Sequence, residues 1–139
     1  MADKKSIIHK YEPLWGLWRV EGLLGQSGNG EVYRVTREEW GKKYVSAVEL
    51  ISIAKGKEDV ISNILNEIEA MYRLRGCMNI VAYEDHVIFK RKDSSGWDIL
   101  IRMEDLESLP AYMQEHTLTR TDVIRLGIDI CSALEACGK

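Results

Sequence analysis

A chain of 139 residues, 45% hydrophobic and 29% charged, is long enough to bury one core without help from disulfides or metal. Its net charge of -3 leaves no basic footprint and argues against a nucleic-acid partner. Cys77, Cys131 and Cys137 are odd in number and lack metal-ligand spacing, so they read as reduced thiols buried as small hydrophobes in a cytoplasmic protein.

The opening MADKKSIIHK carries positive charge but leads into no long apolar run. Neither a signal peptide nor a membrane span is expected, and no membrane partner. From Trp15 to Val35 the text WGLWRVEGLLGQSGNGEVYRV gives two strands around a Gly, Ser and Asn cluster, a hairpin with a flexible tip. KKYVSAVELISI makes a third strand. Alternation puts Val45, Ala47, Glu49, Ile51 and Ile53 on one face, so a carboxylate stands amid an apolar side. Burying an ionised carboxylate without a partner is costly, which leaves two options: an exposed edge, or a site that needs a charged group.

EDVISNILNEIEAMYRLRG follows, with Ile61, Ile64, Leu65, Ile68, Met71 and Leu74 at spacings of three and four and a stop at Gly76. That pattern predicts an amphipathic helix. NIVAYEDHVIFKR and WDILIRMEDL are two more strands, joined by the polar loop KRKDSSGWD into a second hairpin. ESLPAYMQEH reads as a short helix. Thr119 and Asp122 then form a capping box, with Asp in place of the usual Glu, ahead of VIRLGIDICSALEACGK. Apolar residues circle most of that last helix, which predicts burial on more than one side. No later segment of the sequence covers it, so the expected partner is a second copy, giving a homo-oligomer through the helix from Val123 to Cys137, or another protein. His9, His86 and His116 have no metal-like spacing to acids or cysteines; they read as exposed polar residues, and no metal site is expected.

Four local sequences, in this order, resemble the N-terminal lobe of a eukaryotic-type protein kinase, in particular the bacterial serine/threonine kinases. LGQSGNGEVY resembles the phosphate-covering loop G-x-G-x-x-G-x-V: Gly25, Gly30 and Val32 fall on the pattern, Ser27 takes the second glycine position, and Asn29 stands where an aromatic is common. A side chain at position 27 keeps backbone amides away from phosphate oxygens. Taken alone, the stretch reads more readily as a plain hairpin turn. SAVEL resembles the strand V-A-I-K, with Ala47 in the adenine ceiling and Glu49 in place of the lysine that holds the phosphates. NEIEAMYRLRGCMNIV is similar to helix C and the strand after it. It puts the ion-pair glutamate at Glu67, with Glu69, facing away from the apolar stripe, as the alternative. ILIRMEDLESL resembles the fifth strand and hinge, with Met103 as gatekeeper and the backbone from Glu104 to Leu106 offering adenine a donor and an acceptor.

The resemblance implies an α+β fold: a five-stranded antiparallel sheet with helix C, then a hinge and helices D and E of the C-lobe. It divides the chain into an N-terminal extension at 1–14, an N-lobe with hinge at 15–106, and the start of a C-lobe at 107–139. It implies ATP and Mg as cofactors, with nucleotide contacts at Leu24, Gly25, Ser27, Gly30, Val32, Ala47, Met103, Glu104 and Leu106. It offers no catalytic residue, since the His-Arg-Asp base and the Asp-Phe-Gly magnesium motif are not in the sequence. Where the family has a Lys–Glu pair this chain has Glu49 and Glu67, and two carboxylates about 4 Å apart at an effective dielectric of about 20 repel by roughly 4 kcal/mol. A shared proton, a bridging cation or a displaced helix C each relieves this. Displacement is the expected outcome, because moving a helix costs less than burying two like charges. A natural loss and an engineered inactivation read the same at Glu49. The expected function is a serine/threonine-kinase-like N-lobe fragment that binds ATP weakly or not at all and transfers no phosphate. The alternatives are a pseudokinase-type interaction module and a hairpin-rich binding module unrelated to kinases.

Overall fold

Trp40 and Gly41 have φ of 53° and 76°, and two successive left-handed residues make the tight hairpin turn that matches strand twist. That turn joins Glu31–Glu39 (β2) to Lys42–Ala54 (β3) in the computed structural model, which describes residues 4–26, 28 and 30–138. With Arg19–Gln26 (β1), Tyr83–Lys90 (β4) and Gly96–Glu104 (β5) they form one antiparallel sheet in the order β1-β2-β3-β5-β4. Three strands, a helix and two strands is the order that the hydrophobic pattern predicts, and the α+β class with a five-stranded antiparallel sheet is what the structure has. Beside the sheet stand four helices among the described residues: Lys4–His9 (α1), Glu58–Arg73 (α2), Leu109–Glu115 (α3) and Arg120–Cys137 (α4).

Residues directly opposed in an antiparallel ladder share a face. Val32 opposes Glu49, which opposes Ile101, and Arg34 opposes Ala47, which opposes Met103. This face carries one core cluster, in which Ile51, Ile53, Ile99, Ile101 and Tyr83 pack against Ile64 and Ile68 of α2. Of the stripe that the sequence periodicity marks, Ile64 and Ile68 are buried and Ile61 and Met71 partly so, while Leu65 is exposed. The first turn of α2 holds Glu58 and Asp59 and its last Arg73, charges that suit the helix dipole. Gly76, at φ 88°, turns the chain away just beyond it.

The opposite face is buried too, which alternation in β3 does not predict. Tyr33, Val35, Val48, Leu50 and Leu100 lie beneath Ile8, Leu14 and Trp18 of the N-terminal segment, and Ile8 and Val48 are fully enclosed. The first strand begins at Arg19 and not at Trp15, because Trp15 (φ 49°) and Gly16 (φ 76°) fold into a turn closed by a bridge between Leu14 and Trp18. Trp15 and Trp18 then sandwich the Arg102 guanidinium, at 4.7 and 4.8 Å from the ring centres.

Both halves of the predicted capping box at α4 are present, with Asp122 N–H donating to the Thr119 hydroxyl and Thr119 N–H to the Asp122 carboxylate. The burial expected of α4 is not found. None of its described residues is buried, and Val123, Ile124, Ile128, Ile130 and Leu134 are 51% to 65% exposed. No element among the described residues covers them. For the same reason the cysteines are not the buried hydrophobes their surroundings in sequence suggest: Cys131 and Cys137 are exposed on α4 and Cys77 is half-buried, all three as free thiols. His86, expected to be exposed, is half-buried with Nδ1 2.6 Å from the Tyr83 hydroxyl. No helix among the described residues is long and apolar enough to cross a membrane.

Candidate functional site

Strand register brings four of the sequence-predicted residues together. Val32, Ala47, Glu49 and Met103 occupy neighbouring ladder positions on the α2 face of the sheet, and Gly25 opposes Val32 across β1 and β2. Ala47 is buried, while Val32, Glu49 and Met103 are half-buried. The carboxylate of Glu49 is thus neither in open solvent nor enclosed. It sits where β2, β3 and β5 run side by side, between Val32 and Ile101 in the ladder. Cavities lie over the N-terminal segment, around Arg102 and beside α4, and one reaches Gly30 alongside Leu50 and Ser52 on the opposite face of the sheet.

Glu67 lies on α2 one residue before buried Ile68, at the flank of the apolar stripe, and is exposed. Glu69 points away from that stripe and pairs with Arg73 in solvent at 3.4 Å. Among the described residues neither Glu49 nor Glu67 has a side-chain hydrogen bond or ion pair.

Two glycines of the hairpin differ in what they are for. A Cβ on Gly30 would lie 1.9 Å from the Leu50 carbonyl oxygen, so the close approach of β2 to β3 demands glycine whatever binds nearby. A Cβ on Gly25 would meet nothing within 4 Å, and packing gives no reason for glycine there. Leu24 is exposed. Ser27 and Asn29, and with them the expected tip flexibility, lie outside the described residues.

Beyond β5 the chain is tied down on both sides. Glu104 donates its amide to the Ala82 carbonyl at 3.0 Å and accepts the Ala82 amide on its carboxylate at 2.8 Å. A backbone donor in this stretch therefore has to come from Asp105 or from Leu106, which is exposed. Arg34 reaches from β2 across the Ala47 and Met103 positions to the Asp105 carboxylate, 3.1 Å away, and fixes the start of the connection to α3. The other oxygen of that carboxylate, Oδ1, is buried without a partner among the described residues.

Sequence reasoning missed a second polar centre on the opposite face. Asp98 is fully enclosed and accepts hydrogen bonds from the Tyr11 hydroxyl at 2.6 Å, the Ser52 hydroxyl at 2.9 Å and Arg91 Nε and Nη2 at 3.2 and 3.1 Å. Burial alone would raise its pKa, but these bonds and the Arg91 charge outweigh it and hold the carboxyl below its usual range. Burial first, and then the bond to Asp98, push the Tyr11 hydroxyl up from its ordinary value. The cluster locks the N-terminal segment to β3, β5 and the loop after β4. Among the described residues no group of three metal-ligating side chains gathers.

No family model matches the chain. Over 83 residues, 55% of its length, it is 30% identical to serine/threonine-protein kinase AKL1 of Saccharomyces cerevisiae, and the match spans 8% of that protein. This partial likeness and the five-stranded sheet are compatible with a kinase N-lobe and point to a distant kinase-like origin.

Proposed function

We propose that the sheet and α2 form the nucleotide-side lobe of a serine/threonine-kinase-like domain in which an acid has replaced the phosphate anchor. The observation that carries this reading is the register that sets Val32, Ala47, Glu49 and Met103 side by side on the face against which α2 packs. Three of these side chains are apolar and suit the face of an adenine ring. Gly25, for which packing has no use, fits a backbone kept clear for a ligand. The fourth side chain does not suit ATP. A carboxylate at Glu49 repels phosphate where the family's lysine would attract it, and nothing in the 139 residues matches the family's base or its magnesium-binding aspartate. These residues fit an adenine and do not fit a magnesium triphosphate, so by themselves they transfer no phosphate.

Melting curves with and without ATP and magnesium test this, because a ligand of the native state raises its melting temperature, by the equivalent of about 2.7 kcal/mol at a hundredfold excess over Kd. The reading expects a larger shift in Glu49→Lys than in the unaltered chain. Equal shifts in the two would remove Glu49 from any phosphate site. The exposed apolar side chains of α4 favour a second reading beside this one, a module that acts by contact with a second copy of itself or another protein through residues 123–137.

A further inference from the structure

The chain as a whole is acidic, at a net charge of -3, yet one cavity of about 490 Å³ is lined by Lys10, Lys90, Arg91 and Lys92 with Asp93 as its one acid. Tyr11 and Phe89 also line it, stacked at 4.3 Å and nearly parallel. The cavity lies on the N-terminal face of the sheet, since Phe89 opposes Asp98 and Asp98 opposes Ser52, away from the face that carries Ala47 and Glu49.

The cations here are not all spoken for. Arg91 is committed to Asp98 and to the Ser95 hydroxyl. Lys10 stands 3.8 Å from the enclosed Asp98, whose charge Arg91 already balances. Lys92 is exposed and has no ion-pair partner among the described residues, whereas Lys90 opposes Trp97, which opposes Ile53, so its ladder position is on the other face of the sheet. Asp93 turns its carboxylate back on its own loop, accepting the Ser95 amide at 2.9 Å. What remains is a concave wall with a surplus of positive charge, held in shape by the buried Asp98 cluster behind it. The mutual repulsion of Lys10, Arg91 and Lys92 around one cavity is relieved by a bound anion, and the stacked rings offer an apolar floor beside it.

We propose that this cavity binds a small anion bearing several phosphate groups, with Lys10 and Lys92 as its main contacts. The anion is either free in solution or the headgroup of a phosphorylated lipid. Titration calorimetry with inorganic tripolyphosphate tests the first source. The proposal expects one saturable site, weakened at least tenfold in Lys10→Ala/Lys92→Ala and weakened further by added salt. The control variant Lys42→Ala/Lys43→Ala removes the same charge at the opposite end of β3 and keeps full affinity. Flotation with phosphatidylcholine vesicles, with and without a phosphoinositide, tests the second source. Retention on phosphoinositide vesicles that tripolyphosphate displaces assigns the headgroup, and retention on neither with intact tripolyphosphate binding assigns a free anion. No saturable binding by the unaltered chain to either probe, or equal losses in the two double variants, overturns the proposal. Substitution at Glu49 leaves this binding unchanged, so its outcome is independent of the nucleotide reading.

Discussion

Asp98 has no contact with solvent and still stays ionised, because four donor atoms face it and two belong to a guanidinium. A folded-state pKa held below the unfolded value of about 3.9 contributes stability above that value and loses it as pH falls through the folded pKa. The chain is therefore expected to lose stability steeply below about pH 4, with a shallower acid limb in Asp98→Asn. Asp98→Ala leaves Arg91 and Tyr11 unpaired in a buried place and is expected to cost about 3 kcal/mol, read from urea midpoints. At the alkaline end the sign reverses. Tyr11 has its pKa raised, so its stabilisation persists through pH 10 and is lost as pH rises toward the folded value. An acid limb in Asp98→Asn identical to that of the unaltered chain would sink this account. The residue that sequence could locate was Glu49, whose face follows from parity along β3. Asp98 escaped because its partners Tyr11 and Ser52 stand 87 and 46 residues away, and no local pattern links them.

Periodicity makes elements legible when they are long and one-sided. The α2 helix showed a stripe over 16 residues, and the structure buries its centre, Ile64 and Ile68, while Leu65 stays exposed. The N-terminal segment showed nothing of the kind, since Ile8, Leu14 and Trp18 follow no helical or strand period; they gain a common face only through the turn at Trp15 and Gly16. A division that sets residues 1–14 aside as an extension cuts through this core. Leu14 is 1% exposed, and replacing it with alanine is expected to destabilise the fold by about 3 kcal/mol, a value typical of a buried Leu→Ala. Deleting residues 1–14 uncovers Val48, Leu50 and Leu100 and is expected to give a chain that aggregates, as judged by light scattering. A soluble, cooperatively melting 15–139 would show that the segment is dispensable packing.

At the scale of the whole molecule the two core clusters share the central strands, β3 and β5, so unfolding of one face exposes the other and the sheet is expected to melt as a unit. The last helix stands outside that unit. Its pattern was read correctly as an all-round apolar helix with a capping box, but a sequence pattern states what a helix needs and not what is there to meet it. Isolated helices of about 12–15 residues are marginal in water, and an 18-residue helix with no buried side chain gains little beyond its cap. Amide exchange separates the two parts. Backbone N–H groups in the middle of β3 and β5 are expected to exchange only with global unfolding, at a rate independent of protein concentration. Those of α4 are expected to exchange fast in dilute solution and, on the reading that the module acts by contact with a second copy, to slow as concentration rises, because such pairing would cover Ile124, Ile128 and Leu134. Ile128→Glu on that apolar surface is expected to abolish the concentration dependence while leaving β3 and β5 unchanged. Protection in α4 that is already maximal in dilute solution, or that Ile128→Glu leaves intact, would mean that the helix is held by its own lobe and that the module does not act through this surface.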